Sequence, residues 1–135
     1  MSNKLQQGTQ ARAWMGRALS GLAIAFLLFD SVIKLIPIEP VLTTMQSLGY
    51  PGTAGFARFL GVLTLACTAL YALPRTATLG AVLLTGLFGG AIATHVRVDA
   101  PLFSHVLFGV YLGAMIWGGL LLRRQTLVPA LLSGA

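Results

Sequence analysis

Residues 77–122 read ATLGAVLLTGLFGGAIATHVRVDAPLFSHVLFGVYLGAMIWGGLLL, two long apolar runs separated by the polar stretch THVRVDAPLFSH at 94–105. A helix that spans a membrane needs about 20 predominantly apolar residues. The runs at about 77–96 and about 102–122 both reach that length, and Pro101 lies where the first turn of a helix tolerates proline. The stretch therefore predicts two antiparallel spanning helices joined by a short polar turn.

Two further runs of this kind precede it, at about 14–36 and about 56–73, and each ends before a proline. The chain of 135 residues is 56% hydrophobic and only 9% charged, whereas soluble domains carry about 25% charged residues. We expect an all-α protein, an antiparallel four-helix bundle that spans the membrane as one domain over residues 1–135. Between spans one and two, a short interfacial helix is predicted by apolar residues at helical spacing: Val41, Leu42, Met45 and Leu48.

Basic residues are distributed unevenly between the two predicted sides of the membrane. One side holds six basic residues and no acidic one, namely Lys4, Arg12, Arg17, Arg75, Arg123 and Arg124. The other side holds three of each sign, namely Lys34, Arg58 and Arg97 with Asp30, Glu39 and Asp99. Because loops rich in Lys and Arg remain in the cytoplasm, we expect a multi-pass inner-membrane protein with both termini cytoplasmic. The basic residues form no continuous stripe, which argues against a nucleic-acid partner.

Ionisable side chains from four segments are predicted to meet at the extracytoplasmic end: Asp30, Lys34, Arg58, His95, Arg97 and His105. Asp30 and Lys34 are four residues apart and share one helix face, either as part of a ligand site or as a mutually neutralised pair. His95 suits proton transfer, because imidazole exchanges protons near neutral pH; the alternative is that it caps the negative end of its helix.

The two arginines of this set, Arg58 and Arg97, suit the binding of an anionic group or of Asp99. As single residues they are equally suited to anchoring helix ends at the interface. The spacing of His95, Asp99 and His105 matches no established metal signature, and no thiolate assists, so we expect no metal site.

Aromatic and small residues add three expectations. A pocket for a flat lipophilic ligand such as a quinone is suggested by a cluster near the polar end, with packing against lipid as the alternative: Phe56, Phe59, Phe103 and Phe108. Interfacial belts are the interpretation for the aromatic residues near span ends: Trp14, Tyr50, Tyr71, Tyr111 and Trp117. Close helix contacts are predicted by small residues four apart: Gly21 with Ala25, Ala57 with Gly61, Gly86 with Gly90, and Gly109 with Gly113.

Five stretches occur together and in order: FDSVIKL (29–35), LGYP (48–51), LYALPRTATLGAVLLTG (70–86), GGAIATHVRV (89–98) and PLFSHVLFGVYLGAMIWGGL (101–120). Together they resemble DoxX-like membrane proteins over about residues 20–120. The resemblance implies a four-helix topology. It also implies a link to redox chemistry, since the family name comes from subunits of thiosulfate:quinone oxidoreduction, whereas other relatives associate with oxidoreductase complexes or act as membrane chaperones.

The chain departs from this family pattern at two points. Where the subfamily often has glycine after the Arg-Val of the third span, this chain has Asp99. Cys67 is its only cysteine, so it has no dithiol pair of its own, and we expect this side chain to serve helix packing.

Three hypotheses follow. The first is a polar extracytoplasmic pocket that binds a quinone or a small anionic ligand in support of a redox process, with His95 and Asp30 catalytic and Lys34, Arg58, Arg97 and His105 binding the ligand. The second is a non-catalytic assembly or chaperone subunit, which uses its small-residue faces to bind a membrane-protein partner or a second copy of itself. The third, a small transporter, needs a dimer, because four short spans leave little room for alternating access. Whether the protein is an enzyme is left open.

Overall fold

A computed structural model describes residues 2–134. The chain folds into helices α1 (Ser2–Leu35), α2 (Glu39–Ser47), α3 (Ala54–Ala72), α4 (Ala77–Arg97), α5 (Phe108–Arg123) and α6 (Leu127–Leu132), and a π-helical turn at Leu102–Val106 leads into α5. No strand occurs within the part of the chain that the structure describes. Helices α1, α3, α4 and α5, the last counted with its π-turn, are long and apolar enough to cross a membrane. The predicted all-α four-helix bundle is thus confirmed.

The four long helices form a ring in the order α1, α3, α4, α5. Helix α1 packs against α3 and α5, and α4 packs against the same two helices from the other side. Neighbouring helices are antiparallel, since Ser20 near the start of α1 meets Tyr71 at the end of α3, while Ser31 near the end of α1 approaches Gly61 in the first half of α3. The bundle therefore has two ends, which we call the tyrosine end (Tyr71) and the histidine end (His95).

Helix α1 begins well before the predicted start of the first span, at Ser2 instead of near Trp14. The added segment, residues 2–13, contains Leu, Gln, Ala and Arg, which are good helix formers, and no proline. At 1.5 Å per residue it lengthens the helix by about 18 Å. Its residues 2–12 are all exposed, so most of the segment projects beyond the tyrosine end, and Arg12 lies beside Leu121 and Leu122 of α5.

Close backbone contacts hold the tyrosine end together. A Cβ atom built on Gly80 of α4 would overlap the backbone of Tyr71 in α3, so only glycine fits there. A Cβ atom on Gly16 of α1 would lie 2.8 Å from the carbonyl oxygen of Gly119 in α5. The spacing of small residues predicted close contacts at six other glycines. Two of them, Gly61 and Gly109, do meet neighbouring helices. At the other four a Cβ atom would meet nothing within 4 Å: Gly21, Gly86, Gly90 and Gly113.

Tyr71 is fully buried, so its assignment to an interfacial belt is wrong. Its hydroxyl donates to the carbonyl oxygen of Ile116 in α5 at 2.8 Å. Because that bond uses its only proton, Ser20 of α1 donates to Tyr71 Oη across their 2.7 Å contact. The guanidinium of Arg123 lies over the ring, 5.5 Å from its centroid. The buried position of the ring lets its hydroxyl link α3 to both α1 and α5.

Replacing Tyr71 with phenylalanine should destabilise the bundle. The substitution keeps the ring but leaves Ser20 Oγ and the Ile116 carbonyl without Tyr71, and we expect the free energy of unfolding to fall by about 1 kcal/mol. Thermal unfolding in one detergent would measure the change. Tyr111→Phe is the matched control, because the Tyr111 side chain is 47% exposed and should tolerate the loss of its hydroxyl. Equal melting temperatures for the two variants would contradict the role given to Tyr71.

Candidate functional site

The bundle contains a cavity towards its histidine end, which we call the central cavity. Its volume is about 390 Å³, within the usual range for small-molecule sites. Helices α1, α3 and α4 contribute to the lining together with Tyr50 and the segment from His105 to Leu112. The cavity therefore draws on all four spanning segments and on the connection between α2 and α3.

Most of the cavity wall is apolar. Leu27, Leu87, Phe88 and Leu112 line it, and Phe108 lines it while packing edge to face against Phe26 with the ring centroids 5.1 Å apart. These side chains give the cavity a largely apolar wall.

Of the four phenylalanines predicted to form a pocket, only Phe108 lines the cavity. Phe59 and Phe103 are 60% and 75% exposed. Phe56 lies outside the lining and packs against the ring of Tyr50 at 5.2 Å. Lipid-facing packing, the alternative considered for this cluster, fits the two exposed rings.

Asp30 and Lys34 form an ion pair on α1, with Lys34 Nζ 2.5 Å from Asp30 Oδ2. The side chains are only 26% and 23% exposed, and both line the central cavity. The two interpretations of this pair are therefore compatible. The charges neutralise each other, and the pair also forms part of the polar wall.

His95 and His105 meet across the turn between α4 and α5, with their ring centroids 5.8 Å apart, and both line the cavity. His95 Nδ1 lies 2.8 Å from the carbonyl oxygen of Ala91. A carbonyl only accepts hydrogen bonds, so Nδ1 carries a proton, and Nε2 is the nitrogen of the neutral ring that can accept one. His105 Nδ1 lies 2.7 Å from the hydroxyl of Ser104, which can donate to it.

The turn that brings the histidines together relies on two local features. Asp99 adopts a left-handed conformation with φ 51°, which Asp tolerates better than most residues and which glycine adopts without strain. The conformation of Asp99 is thus one that the glycine suggested by the family resemblance would also adopt. The π-helical turn that follows contains His105, whose side chain lines the cavity.

The structure does not bring Arg58 and Arg97 into the cavity lining. Arg58 Nε donates to the carbonyl oxygen of Leu35 at 3.3 Å. Arg97 Nη2 donates to the carbonyl oxygen of Leu48 at 2.5 Å, beside Gly49, whose φ of 81° is left-handed. Both arginines therefore donate to backbone carbonyls at the ends of helices α1 and α2, and neither lines the cavity. Within residues 2–134, Asp30 and Lys34 are the only ion pair, so Asp99 holds neither arginine.

Two polar residues of the cavity were missed by sequence reasoning. The hydroxyl of Tyr50 lies 2.8 Å from that of Thr94, and both residues line the cavity. Their separation of 44 positions leaves no local signal for the pairing. Tyr50 occurs in the LGYP stretch, but its position near a span end suggested an interfacial belt.

The structure also bears on a thiol site and on a metal site. Cys67 is buried in the hydrophobic core and does not line the cavity. Among the described residues, no three His, Cys, Asp or Glu side chains come together in a way that could hold a metal ion.

Comparison with known proteins adds one finding. A family model described as the DoxX-like family matches residues 18–119, which include α3 and α4 in full, α1 from Ala18 onward and α5 up to Gly119. No curated protein and no solved structure matches the chain.

Asp30 and Lys34 should be energetically coupled, because each neutralises the other in a half-buried position. In a double-mutant cycle with Asp30→Asn and Lys34→Gln, we expect a coupling energy of about 1 kcal/mol in the free energy of unfolding. A cycle of Asp99→Asn with Lys34→Gln is the control, since Asp99 is exposed and forms no ion pair with Lys34. If the first cycle is as additive as the second, the ion pair contributes nothing measurable.

Proposed function

The chain belongs to the DoxX-like family of multi-pass membrane proteins, and we propose that it binds a quinone in its central cavity in support of a redox process. One observation carries this proposal. Asp30, Lys34, His95 and His105, which come from three separate segments, all line one cavity whose remaining wall is mostly apolar. An apolar cavity with a few convergent polar groups is the usual form of a small-molecule site.

The charges around the cavity favour a neutral ligand over a small anion. Lys34 is the only Lys or Arg side chain in the lining, and Asp30 already neutralises it. Arg58 and Arg97, the other cations at this end, donate to backbone carbonyls outside the lining. A small anion would have to compete with Asp30 for Lys34, whereas a quinone needs only hydrogen bonds for its carbonyl oxygens and an apolar slot for its ring.

His95 is the residue to which we assign proton transfer. Its Nδ1 is held by the Ala91 carbonyl, which leaves Nε2 as the atom that takes up or releases a proton. Asp30 is assigned to relay protons at the same site, and Lys34 and His105 to hold the quinone oxygens. Reducing a quinone consumes two electrons and two protons. In this proposal a separate redox subunit in the membrane supplies the two electrons, and the two protons pass through His95 and Asp30.

For the orientation, we propose that the histidine end faces away from the cytoplasm in the inner membrane and that both termini are cytoplasmic. The support is the charge distribution. The basic residues Arg17, Arg75 and Arg123 lie towards the tyrosine end, together with both termini, and all three acidic residues lie towards the histidine end.

Cysteine labelling in intact cells tests this orientation. Because Cys67 is the only cysteine and is buried, Cys67→Ala provides a background without reactive thiols. A membrane-impermeant maleimide should then label Asp99→Cys in intact cells and should label Gln125→Cys only after the cells are opened. The reverse pattern would contradict the orientation.

Titration of the purified protein in lipid nanodiscs with a short-tailed ubiquinone tests the ligand. We expect saturable binding that weakens about tenfold or more in His95→Ala and in Asp30→Asn, since each removes a polar group of the cavity. Asp99→Asn is the matched control for Asp30→Asn, because Asp99 lies on the exposed turn and outside the cavity lining.

Two results would contradict the quinone proposal. One is binding that stays unchanged in both cavity variants, which would place the quinone elsewhere. The other is an absence of quinone binding together with thiosulfate binding that Lys34→Gln abolishes, which would favour the small-anion alternative. In that case Asp30→Asn should strengthen thiosulfate binding, because it removes the competing carboxylate from Lys34.

A further inference from the structure

The central cavity is not enclosed on all sides by protein. Two of its lining residues on α4, Gly86 and Gly90, are exposed. Gly86 is eleven residues before Arg97, where α4 ends, which places it about 16 Å from that end along the helix axis. The hydrocarbon layer of a bilayer is about 30 Å thick. The exposed lining therefore lies at the depth of the lipid tails.

The opening lies between α3 and α4. At the tyrosine end the two helices are in backbone contact through Gly80 and Tyr71. Towards the histidine end, the lining on the α3 side consists of Leu60 and Thr64, and its outer edge on α4 consists of the two glycines. A Cβ atom on Gly86 or Gly90 would meet nothing within 4 Å, so no side chain closes the gap at this edge. We call this gap the lateral slot.

The polar and apolar groups of the cavity are segregated along the same direction. The Asp30–Lys34 pair, both histidines and the Tyr50–Thr94 hydroxyl pair lie towards the histidine end. The lining nearer the middle of the bundle includes Leu27, Leu87, Leu112 and the glycine edge, together with Thr64, whose hydroxyl donates to the carbonyl oxygen of Leu60. Such a cavity complements a molecule that has a polar head and an apolar tail.

We propose that the lateral slot admits the isoprenoid tail of the quinone, so that the head lies among the histidines while the tail passes between α3 and α4 into the lipid. This inference rests on the proposed quinone function. A volume of about 390 Å³ is at the small end of ligand sites and accommodates a head group, but not the long isoprenoid tail of a membrane quinone. A long tail must leave the cavity, and the slot leads directly into lipid, where the tail loses no favourable surroundings.

This route makes a specific statement about tail length. Lipid is as apolar as a protein interior, so moving a tail from the bilayer into the slot gains little free energy. The unmodified protein should therefore bind quinones with the same head and different tails with similar dissociation constants, once these are expressed per mole of lipid. The tail is tolerated because the slot is open, and it does not drive binding.

Blocking the slot should make the dissociation constant depend on tail length. A leucine or phenylalanine at position 90 leans towards the start of α4, over the turn that contains Gly86, and would fill the gap. We expect Gly90→Leu and Gly90→Phe to weaken binding of a ubiquinone with ten isoprenoid units at least about tenfold more than they weaken binding of a tail-less ubiquinone analogue, and equal weakening of the two would contradict the slot. Gly86→Leu provides a second variant at the same edge.

Gly89→Leu is the matched control. Gly89 is the neighbouring residue on α4, it is exposed, and its Cβ position is equally open, but it does not line the cavity. This variant should bind both quinones as the unmodified protein does. Melting temperatures of all variants in the same lipid would show whether leucine at 90 disturbs the fold more than leucine at 89.

The outcomes separate the slot from the quinone function. Binding of the tail-less quinone but not of the long-tailed one by the unmodified protein would overturn the slot and keep the quinone site. Equal binding of the long-tailed quinone by Gly90→Phe and Gly89→Leu would do the same. A protein that binds neither quinone would overturn both proposals.

Discussion

The hydroxyl of Tyr71 is the polar group on which the arrangement of the helices depends. It is buried where lipid and apolar side chains offer no hydrogen bonds, so it must find its partners within the bundle. Ser20 and the Ile116 carbonyl are those partners, and reaching them requires α1, α3 and α5 to come close together. Gly16, Gly80 and Gly119 make that approach sterically feasible. The bundle is closed at this end, and its interior space is at the other.

The way in which charge is neutralised at the histidine end shapes the chemistry there. Lys34 is paired with Asp30, and Arg58 and Arg97 donate to backbone carbonyl oxygens at the ends of α1 and α2. Besides the neutralised Asp30–Lys34 pair, the polar groups that line the cavity include the imidazoles of His95 and His105 and the hydroxyls of Tyr50 and Thr94. Such groups suit a ligand that accepts or donates hydrogen bonds, and they serve poorly for one that brings uncompensated charge into an apolar cavity.

The fold was predictable from the sequence because the length of an apolar run and the position of a proline are local properties, and both were present for all four spans. The placement of Asp30 and the two histidines around one cavity was also predictable, because antiparallel spans bring those chain positions to one end. The hydrogen-bond partners of Arg58 and Arg97 were not predictable, since an arginine side chain can reach a backbone carbonyl or a cavity from the same position. Nor was the burial of Tyr71, because a tyrosine near a span end looks like an interfacial residue until its partners on other helices are known.

The contrast between tightly packed and open glycines bears on how this fold can diverge. At Gly16, Gly80 and Gly119 a single added carbon meets backbone, so natural variation there is constrained by folding itself. At Gly86, Gly89 and Gly90 the same carbon meets nothing, so these positions can accept new side chains without disturbing the helices. Two of them border the cavity. Lineages that inherit this bundle can therefore reshape the border of the cavity by substitutions along one edge of α4, while the tightly packed glycines preserve their common architecture.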